Sequence, residues 1–546
     1  MRDHAFKAGV SRDQASLLPP RIEDYVGPDN PVRAIEAYAE ALDLEALGFR
    51  HADRRGGSGQ PPYDPGDLLK LYLYGYLNQV RSSRRLERES GRNMEVIWLL
   101  RGLRPGYRTI AKFRRENWSA LKAANRNFVL LLRDLDLVSG DLVAIDGSFF
   151  HGDASKGSIT TKKKLKAQLA ALDREIEAYG RALEANDVAE AAASSQGGSG
   201  ERSGGRPGGD GGGGSTADRI AALMAKRAEA RSDLDRLEAS GESQLSRTDG
   251  DARLLSKSGQ RVAGYNVQVA VDAQHKLIVA SAVVNDGNDT GQLHRMAAAA
   301  QAALGVETLE AVADAGYYNS EGLKRCEEDG IVAYVPPAVR GGRLKAQGRF
   351  SHDDFVYDAA ADAYRCPAGA PLTPTPGLKR NGGRLEVRYT SRKAACDGCP
   401  LRGRCLGAKA ATRTIQRWVH EDVLERHRAR MAGAGALMRR RAGLAEHPFG
   451  TLKCRAGYRH FLVRGFDKVR GEWSLMALCY NFARVLNILG FDGFLAGLAR
   501  LRAERACLLV PCASAAIRRA EAVTTRFWAA TAPNPAIIAL RRCARA

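Results

Sequence analysis

The feature that most constrains the fold is a set of short apolar runs, rich in β-branched residues, between residues 142 and 335. Leu142-Val-Ala-Ile145 leads into Asp146, and Leu309-Glu-Ala-Val-Ala313 leads into Asp314. Runs of this length and composition are typical of buried strands. Further strand signals lie at 265–271, 277–284 and 331–335, and helical segments lie at about 290–304 and 320–328. This order of strands and helices predicts a mixed α/β sheet.

The two aspartates that end these runs are candidate metal ligands. Strand ends are where α/β sheets present functional groups, although a single aspartate there is often a turn former or a helix cap. Two carboxylates on neighbouring strands repel each other, and magnesium would neutralise them because it binds hard oxygen ligands. Asp146 and Asp314 therefore predict a magnesium site.

The charge balance favours a polyanionic partner. Lys and Arg number 83 against 62 acidic residues, which gives a net charge of +21 and a pI near 9.7. DNA or RNA is the commonest partner of so basic a chain, and an anionic membrane surface is the alternative. Residues 437–470 contain nine basic residues against two acidic ones, one of which is Glu446. Such an acid is either a salt-bridge partner or a metal ligand, and its helical position beside DNA-binding charge favours a metal ligand.

The length of 546 residues predicts several domains. We expect an all-helical N-terminal DNA-binding domain over 1–136, because helical apolar spacing is followed by basic clusters; a solvated helical surface is the alternative. A coiled-coil hairpin insertion is expected over 162–245. Its apolar residues recur at steps of four and three on both sides of a flexible linker, 197–214, which contains 11 glycines.

The remaining segments complete the predicted domain organisation. The first parts of the α/β core are expected over 137–161 and 246–336, and a Cys-containing insertion over 337–419. Helices that carry Glu446 complete the core over 420–500. A basic tail over 501–546 is a candidate for disorder.

Four of the ten cysteines lie close together in the Cys-containing insertion: Cys366, Cys396, Cys399 and Cys405. Four thiolates suit structural Zn²⁺, and reduced free thiols are the alternative. The segment is poor in apolar residues and rich in Gly, Pro and Arg, so a structural metal would contribute much to its folding.

The chain shows no secretory signal, because its first 18 residues are polar. The most apolar segment, 473–498, is interrupted by charged and amide side chains, which favours a buried helix over a membrane span. We therefore expect a cytoplasmic protein.

Several motifs together resemble the DDE transposases of bacterial insertion sequences. They are Asp146 in Ala-Ile-Asp-Gly-Ser, Asp314 in Ala-Asp-Ala-Gly-Tyr-Tyr, and Glu446 with Lys453 seven residues later; segments 18–26 and 457–461 are similar too. The likeness runs from about residue 17 to residue 490. It implies an RNase H-like fold in which Asp146, Asp314 and Glu446 are catalytic and bind two Mg²⁺ ions, for which Mn²⁺ would substitute. The implied reaction is metal-dependent DNA cleavage at transposon ends followed by strand transfer into target DNA.

The resemblance also assigns the DNA contacts. Lys453 would hold a phosphate near the cut, and Arg441, Arg455 and Arg459 are further candidates. In the family an Arg stands four residues before the Glu, with a Tyr three before that Arg. Here Arg441 stands five residues before Glu446 without such a Tyr, and Pro448 is expected to interrupt the helix.

The expected partner is double-stranded DNA, both transposon ends and target. We further expect a homodimer that is associated with the nucleoid. Two alternatives remain: an RNase H-like nuclease that cuts without joining, and a non-catalytic DNA-binding descendant of a transposase.

Overall fold

The computed structural model describes residues 21–53, 61–196, 216–257, 259–337 and 342–531. The chain divides into two units, Met1–Leu137 with Ser474–Ala546, and Val138–Trp473. The helices are α1 Val32–Ala41, α2 Pro65–Leu77, α3 Ser83–Arg92, α4 Met94–Leu99, α5 Tyr107–Glu116, α6 Trp118–Asp134, α7 Lys162–Gln196, α8 Thr216–Ser240, α9 Leu293–Leu304, α10 Ser320–Glu328, α11 Gly342–Ala346, α12 Lys393–Asp397, α13 Arg402–Cys405, α14 Glu421–Ala432, α15 Gly435–Gly450 and α16 Phe466–Thr531. The strands are β1 Leu142–His151, β2 Ile159–Thr161, β3 Gln244–Ser246, β4 Arg253–Lys257, β5 Gln260–Asp272, β6 Ile278–Val284, β7 Leu309–Val312, β8 Ile331–Tyr334, β9 Val356–Asp358, β10 Ala363–Arg365, β11 Pro371–Asn381, β12 Arg384–Ser391 and β13 Thr414–Trp418.

The N-terminal part of the first unit is helical, as the sequence predicts. Side-chain caps begin two of its helices. Asp64 accepts a hydrogen bond from the Gly66 N–H at 2.7 Å before α2, and Asn93 accepts one from the Glu95 N–H at 3.0 Å before α4. Residues 65–76 of α2 are all buried, because this helix is apolar on most of its faces and the other helices surround it.

The apolar segment 473–498 lies within α16. In the first unit, Phe482 packs against Tyr38 and Phe128, with ring centroids 5.8 and 5.9 Å apart. Among the described residues, Phe466–Leu501 is the one helix that is long and apolar enough to cross a membrane by length and composition. Residues 473–482 are buried in the protein, as a buried helix predicts, whereas only 22% of the helix's most apolar window is buried. The helix is broken at Gly490, and its described part ends at Thr531, so residues 532–546 of the basic tail lie outside the described residues.

The second unit contains the mixed sheet that the sequence predicts. Within the described residues its strand order is β4-β5-β1-β7-β8, and β6 also pairs with β5. β1, β7 and β8 run parallel, whereas β5 is antiparallel to β1, β4 and β6. Helix α15 packs on this sheet through Leu444 and Ala445, which contact a cluster with Leu142, Ala144 and Val312.

Helices α7 and α8 form an antiparallel pair in the second unit. Leu165 of α7 packs against Ala230, Leu234 and Leu237 of α8. Ion pairs between Lys162 and Glu238 (2.7 Å) and between Asp173 and Arg227 (2.5 Å) follow the antiparallel direction. The strands β2, directly before α7, and β3, after α8, pair with each other. The linker expected over 197–214 lies outside the described residues.

The Cys-containing segment folds around a second, antiparallel sheet with the order β13-β12-β11-β10-β9. Its core is a cluster of largely aromatic residues: Phe355, Tyr364, Leu372, Tyr389 and Ile415. β11 exposes almost all of its side chains, so its sequence lacks the alternation that marks a half-buried strand. The segment therefore has a core of its own, which its low apolar content does not predict.

Candidate active site

Asp146 lies within β1 and does not end it. The expectation of a strand-terminal aspartate is wrong, because antiparallel pairing with β5 continues from Val143 through Asp146 to His151. Side chains alternate along a strand, so Asp146 shares the sheet face on which Leu142 and Ala144 pack against α15. Its carboxylate is half-buried, and Oδ1 accepts a hydrogen bond from the Gly147 N–H at 2.8 Å.

Asp314 follows the end of β7, as the sequence predicts. Its Oδ1 accepts a hydrogen bond from the Gly316 N–H at 2.9 Å and so caps the 3₁₀ turn Ala315–Tyr317. The last parallel pair between β1 and β7 joins Ala144 to Val312. Asp146 and Asp314 are each two residues further along, on strands that lie roughly 5 Å apart. The register therefore puts the two residues at corresponding positions along neighbouring segments of the chain.

Glu446 lies on α15, directly after the two residues that pack on the Asp146 face of the sheet. Its side chain is exposed. The expected interruption at Pro448 is wrong: α15 continues through the proline to Gly450, and a π-helical segment, Thr451–Arg455, follows. Single π-helical turns within helices are frequent at functional sites.

The donor set suits a hard divalent cation, because all three candidates offer carboxylate oxygens and two of them lie on adjacent strands. Glu446 is placed on the same side of the sheet by α15. Across the part of the chain that the structure describes, however, no three His, Cys, Asp or Glu side chains come close enough to hold a metal ion together. The fold thus places Asp146 and Asp314 two residues beyond the last pair of neighbouring strands, and it does not assemble a set of three ligands in the described residues.

Lys453 connects the π-helical segment to β1. Its ammonium donates hydrogen bonds to Ser148 Oγ at 2.7 Å and to the Phe149 carbonyl oxygen at 2.5 Å, and it lies 4.3 Å from the centre of the Phe150 ring. The Lys453 side chain is therefore held by Ser148 and Phe149, which follow Asp146 by two and three residues. The other candidate DNA-binding residues differ in exposure: Arg441 is half-buried, whereas Arg455 and Arg459 are exposed.

Sequence reasoning missed a buried polar cluster beside this site, formed by Asn266, Gln268, Asp289 and Tyr317. Asp289 Oδ1 accepts hydrogen bonds from Asn266 Nδ2 at 2.8 Å and from Gln268 Nε2 at 2.7 Å. The Tyr317 hydroxyl donates to Gln268 Oε1. Burial raises the pKa of Tyr317 far above its usual range, and the negative charges of Asp289, Asp146 and Asp314 raise it further. A sequence signal exists, since the amides of Asn266 and Gln268 occupy alternate positions within the largely apolar stretch 262–271 of β5.

The four clustered cysteines line one small cavity of about 20 Å³, together with Ser391 and Arg413. This volume has room for a single water-sized guest. Burial raises the pKa of the Cys405 thiol, and the neighbouring thiols raise it further, whereas Arg413 lowers it. Ser391 Oγ lies 3.1 Å from Cys396 Sγ. The four cysteines thus line one cavity, but no three of their thiols come close enough to hold a metal ion together, and structural zinc stays a prediction.

Two family models match the chain. One is a transposase DDE domain that matches residues 365–486, a range that includes Glu446 and Lys453. The other is a transposase domain (DUF772) that matches residues 20–116, from before α1 to the end of α5. No curated protein and no solved structure matches the chain.

Both models describe transposase domains, and the one that matches residues 365–486 is a DDE domain, which indicates a role in transposition. The two domains are typical of the transposases of insertion sequences, and the chain is similar to them over residues 20–116 and 365–486. Asp146 and Asp314 precede the matched part of the DDE domain.

Proposed function

We propose that this transposase cleaves DNA at transposon ends and transfers the strand into target DNA, with Asp146, Asp314 and Glu446 as its catalytic carboxylates in an RNase H-like core. The observation that carries the proposal is the parallel register of β1 and β7, in which Ala144 pairs with Val312, each two residues before a candidate aspartate. The packing of α15 on the same sheet face supports Glu446 as the third member.

These carboxylates would hold two Mg²⁺ ions, or Mn²⁺ in their place, and such ions would supply activation of a water or a 3′-hydroxyl and stabilisation of the leaving oxygen. The protein's part is to bind and orient. Asp146 is held in a strand that is paired on both sides, and Asp314 is held by its cap on the 3₁₀ turn. The position of Lys453 on Ser148 and Phe149 supports a role beside the scissile phosphate.

DNA binding by the helical unit is proposed from a surface on α3 and α5. On α5, Arg108, Lys112 and Arg115 are exposed at steps of four and three, which places them on one helix face. The opposite face buries Ile110 and Phe113. Arg84 of α3 joins the surface, because its guanidinium and that of Arg108 lie 5.2 and 5.9 Å from the Tyr107 ring. With the exposed Arg88, these residues form the α3–α5 basic surface: Arg84, Arg88, Arg108, Lys112 and Arg115.

A cytoplasmic location at the nucleoid and action as a homodimer on double-stranded DNA complete the proposal. Both follow from the reaction, since the substrate is chromosomal DNA and a transposon has two ends to join.

The test is cleavage and joining by the full chain. The substrate is DNA that carries the sequences flanking its gene, with a supercoiled target plasmid and Mg²⁺. Asp146→Asn, Asp314→Asn and Glu446→Gln should each abolish cutting, because an amide of the same shape is a much weaker metal ligand. DNA binding in a gel-shift assay should persist.

Glu310→Gln is the matched control, since this exposed carboxylate lies on β7 four residues before Asp314. It should cut at the wild-type rate. Magnesium-dependent cutting by any of the three site variants would remove that residue from the site. Cutting without joining would identify a nuclease instead.

A further inference from the structure

The buried polar cluster of Asn266, Gln268, Asp289 and Tyr317 links the two strands that carry the aspartate pair. Gln268 lies on β5 directly opposite Gly147, the residue after Asp146. Tyr317 closes the 3₁₀ turn that Asp314 caps. The cluster thus contacts the backbone beside one candidate ligand and the turn that holds the other.

We propose that Asp289, Gln268 and Tyr317 are positioning residues that set the distance between the Asp146 and Asp314 carboxylates. The inference rests on the proposed function of these two aspartates as metal ligands. In this proposal Asp289 acts indirectly, through the residues that it holds in place. The side chain of Asp289 is buried, and its carboxylate Oδ1 accepts two amide hydrogen bonds.

The direction of the hydrogen bonds explains how the cluster works. An ionised carboxylate only accepts, so Gln268 must turn its amide nitrogen toward Asp289 and its carbonyl oxygen toward Tyr317. The Tyr317 hydroxyl then has an acceptor in a fixed place. Through it, the turn after Asp314 is tied to β5, which is itself paired with the strand of Asp146.

Close packing leaves the cluster little freedom. Asn266, Gln268 and Tyr317 are fully buried. A Cβ atom at Gly147 would lie 2.2 Å from Gln268 Nε2 and 2.8 Å from Asp289 Oδ1, so the glycine lets the amide lie against β1. Buried networks whose members are hydrogen-bonded to one another are rigid, and this one joins both sides of the aspartate pair.

The experiment measures Mn²⁺ binding to the full chain by titration calorimetry. Mn²⁺ is the probe because it prefers oxygen ligands and so avoids the cysteines. Tyr317→Phe removes only the hydroxyl and should weaken Mn²⁺ binding by roughly tenfold, as for other groups that orient metal ligands. Gln268→Met should act in the same direction. The double variant should bind little more weakly than either single one, because both changes break the same contact.

Tyr265→Phe is the matched control. Tyr265 is also a buried tyrosine, and its hydroxyl donates to Asp249 at 2.8 and 2.9 Å on the other side of β5. It should lower the thermal stability at least as much as Tyr317→Phe, yet leave Mn²⁺ affinity unchanged.

Each outcome decides between the claims. Wild-type Mn²⁺ affinity in Tyr317→Phe would overturn the inference and leave the proposed function intact, and so would an equal weakening by Tyr265→Phe. Binding that is absent from the wild type, or that survives in Asp146→Asn, would overturn the proposed site itself and with it the inference. Tyr317→Phe carries the test even if Gln268→Met fails to fold.

Discussion

The residue after Asp146 is a glycine, Gly147, although the strand conformation at this position would accept any residue. The reason lies across the sheet, where the Gln268 amide and the Asp289 carboxylate fill the space of a Cβ atom. The Asp-Gly pair is therefore one structural unit: the aspartate faces α15, and the glycine makes room for the buried cluster on the opposite face.

We predict that Gly147→Ala destabilises the protein by roughly 1–3 kcal/mol, which is the usual range for overpacking a filled site. Mn²⁺ binding should weaken too, because Gln268 must shift. The measurement is urea unfolding followed by calorimetry. Gly443→Ala is the control, since a Cβ there meets nothing within 4 Å and the residue is helical; it should be neutral or slightly stabilising. Equal stability of the two variants would contradict the packing argument.

Helix α5 has two faces with different roles: one packs in the first unit, and the other is basic and exposed to solvent. Ile110 and Phe113 hold it in the first unit, and Phe113 stacks on Tyr72 with ring centroids 5.9 Å apart. The face with Arg108, Lys112 and Arg115 is exposed. Such a helix can change its charge without losing its packing, which makes its role in DNA binding separable from its role in the fold.

We therefore predict that replacing Arg108, Lys112 and Arg115 by Ala weakens DNA binding and lowers the slope of log K against log salt by about three units, one for each lost phosphate contact. Thermal stability should change little. The control removes the same charge from α6, where Lys122, Arg126 and Arg133 are exposed. A salt slope that falls equally in both variants would show that net charge, and not the α3–α5 basic surface, governs binding.

The helix pair α7–α8 is joined to the rest of the second unit through β2 and β3. Thr161 and Gln244 are Cα partners in that ladder, so a two-residue turn can connect them. The pair has its own apolar contacts, although Leu245 of β3 also packs on them.

Replacement of residues 162–243 by Asn-Gly should therefore leave a folded protein with wild-type Mn²⁺ affinity and less helical circular dichroism. Cooperative thermal unfolding together with calorimetry provides the check. A chain that no longer unfolds cooperatively would mean that the helix pair stabilises the central sheet.

Much of this architecture could be predicted from the sequence, because it depends on local patterns of residues. Apolar runs and helical spacing mark β1, β7, α9 and the N-terminal helices, since alternation and 3.6-residue periodicity depend on neighbouring residues only. The motifs around Asp146, Asp314 and Glu446 are likewise readable along the chain. The family models confirm the resemblance to transposases over residues 20–116 and 365–486, which include Glu446 but neither aspartate.

The tertiary structure alone decided the rest, because strand register and packing depend on residues far apart in sequence. Pairing with β5 extends β1 past Asp146, and the offset between β1 and β7 pairs Ala144 with Val312, two residues before each aspartate. The second antiparallel sheet arises from aromatic residues scattered between Phe355 and Ile415, which no local period connects. Asp289 and Tyr317 meet at Gln268 only after three separate segments pack together, so no motif along the chain could reveal their cluster.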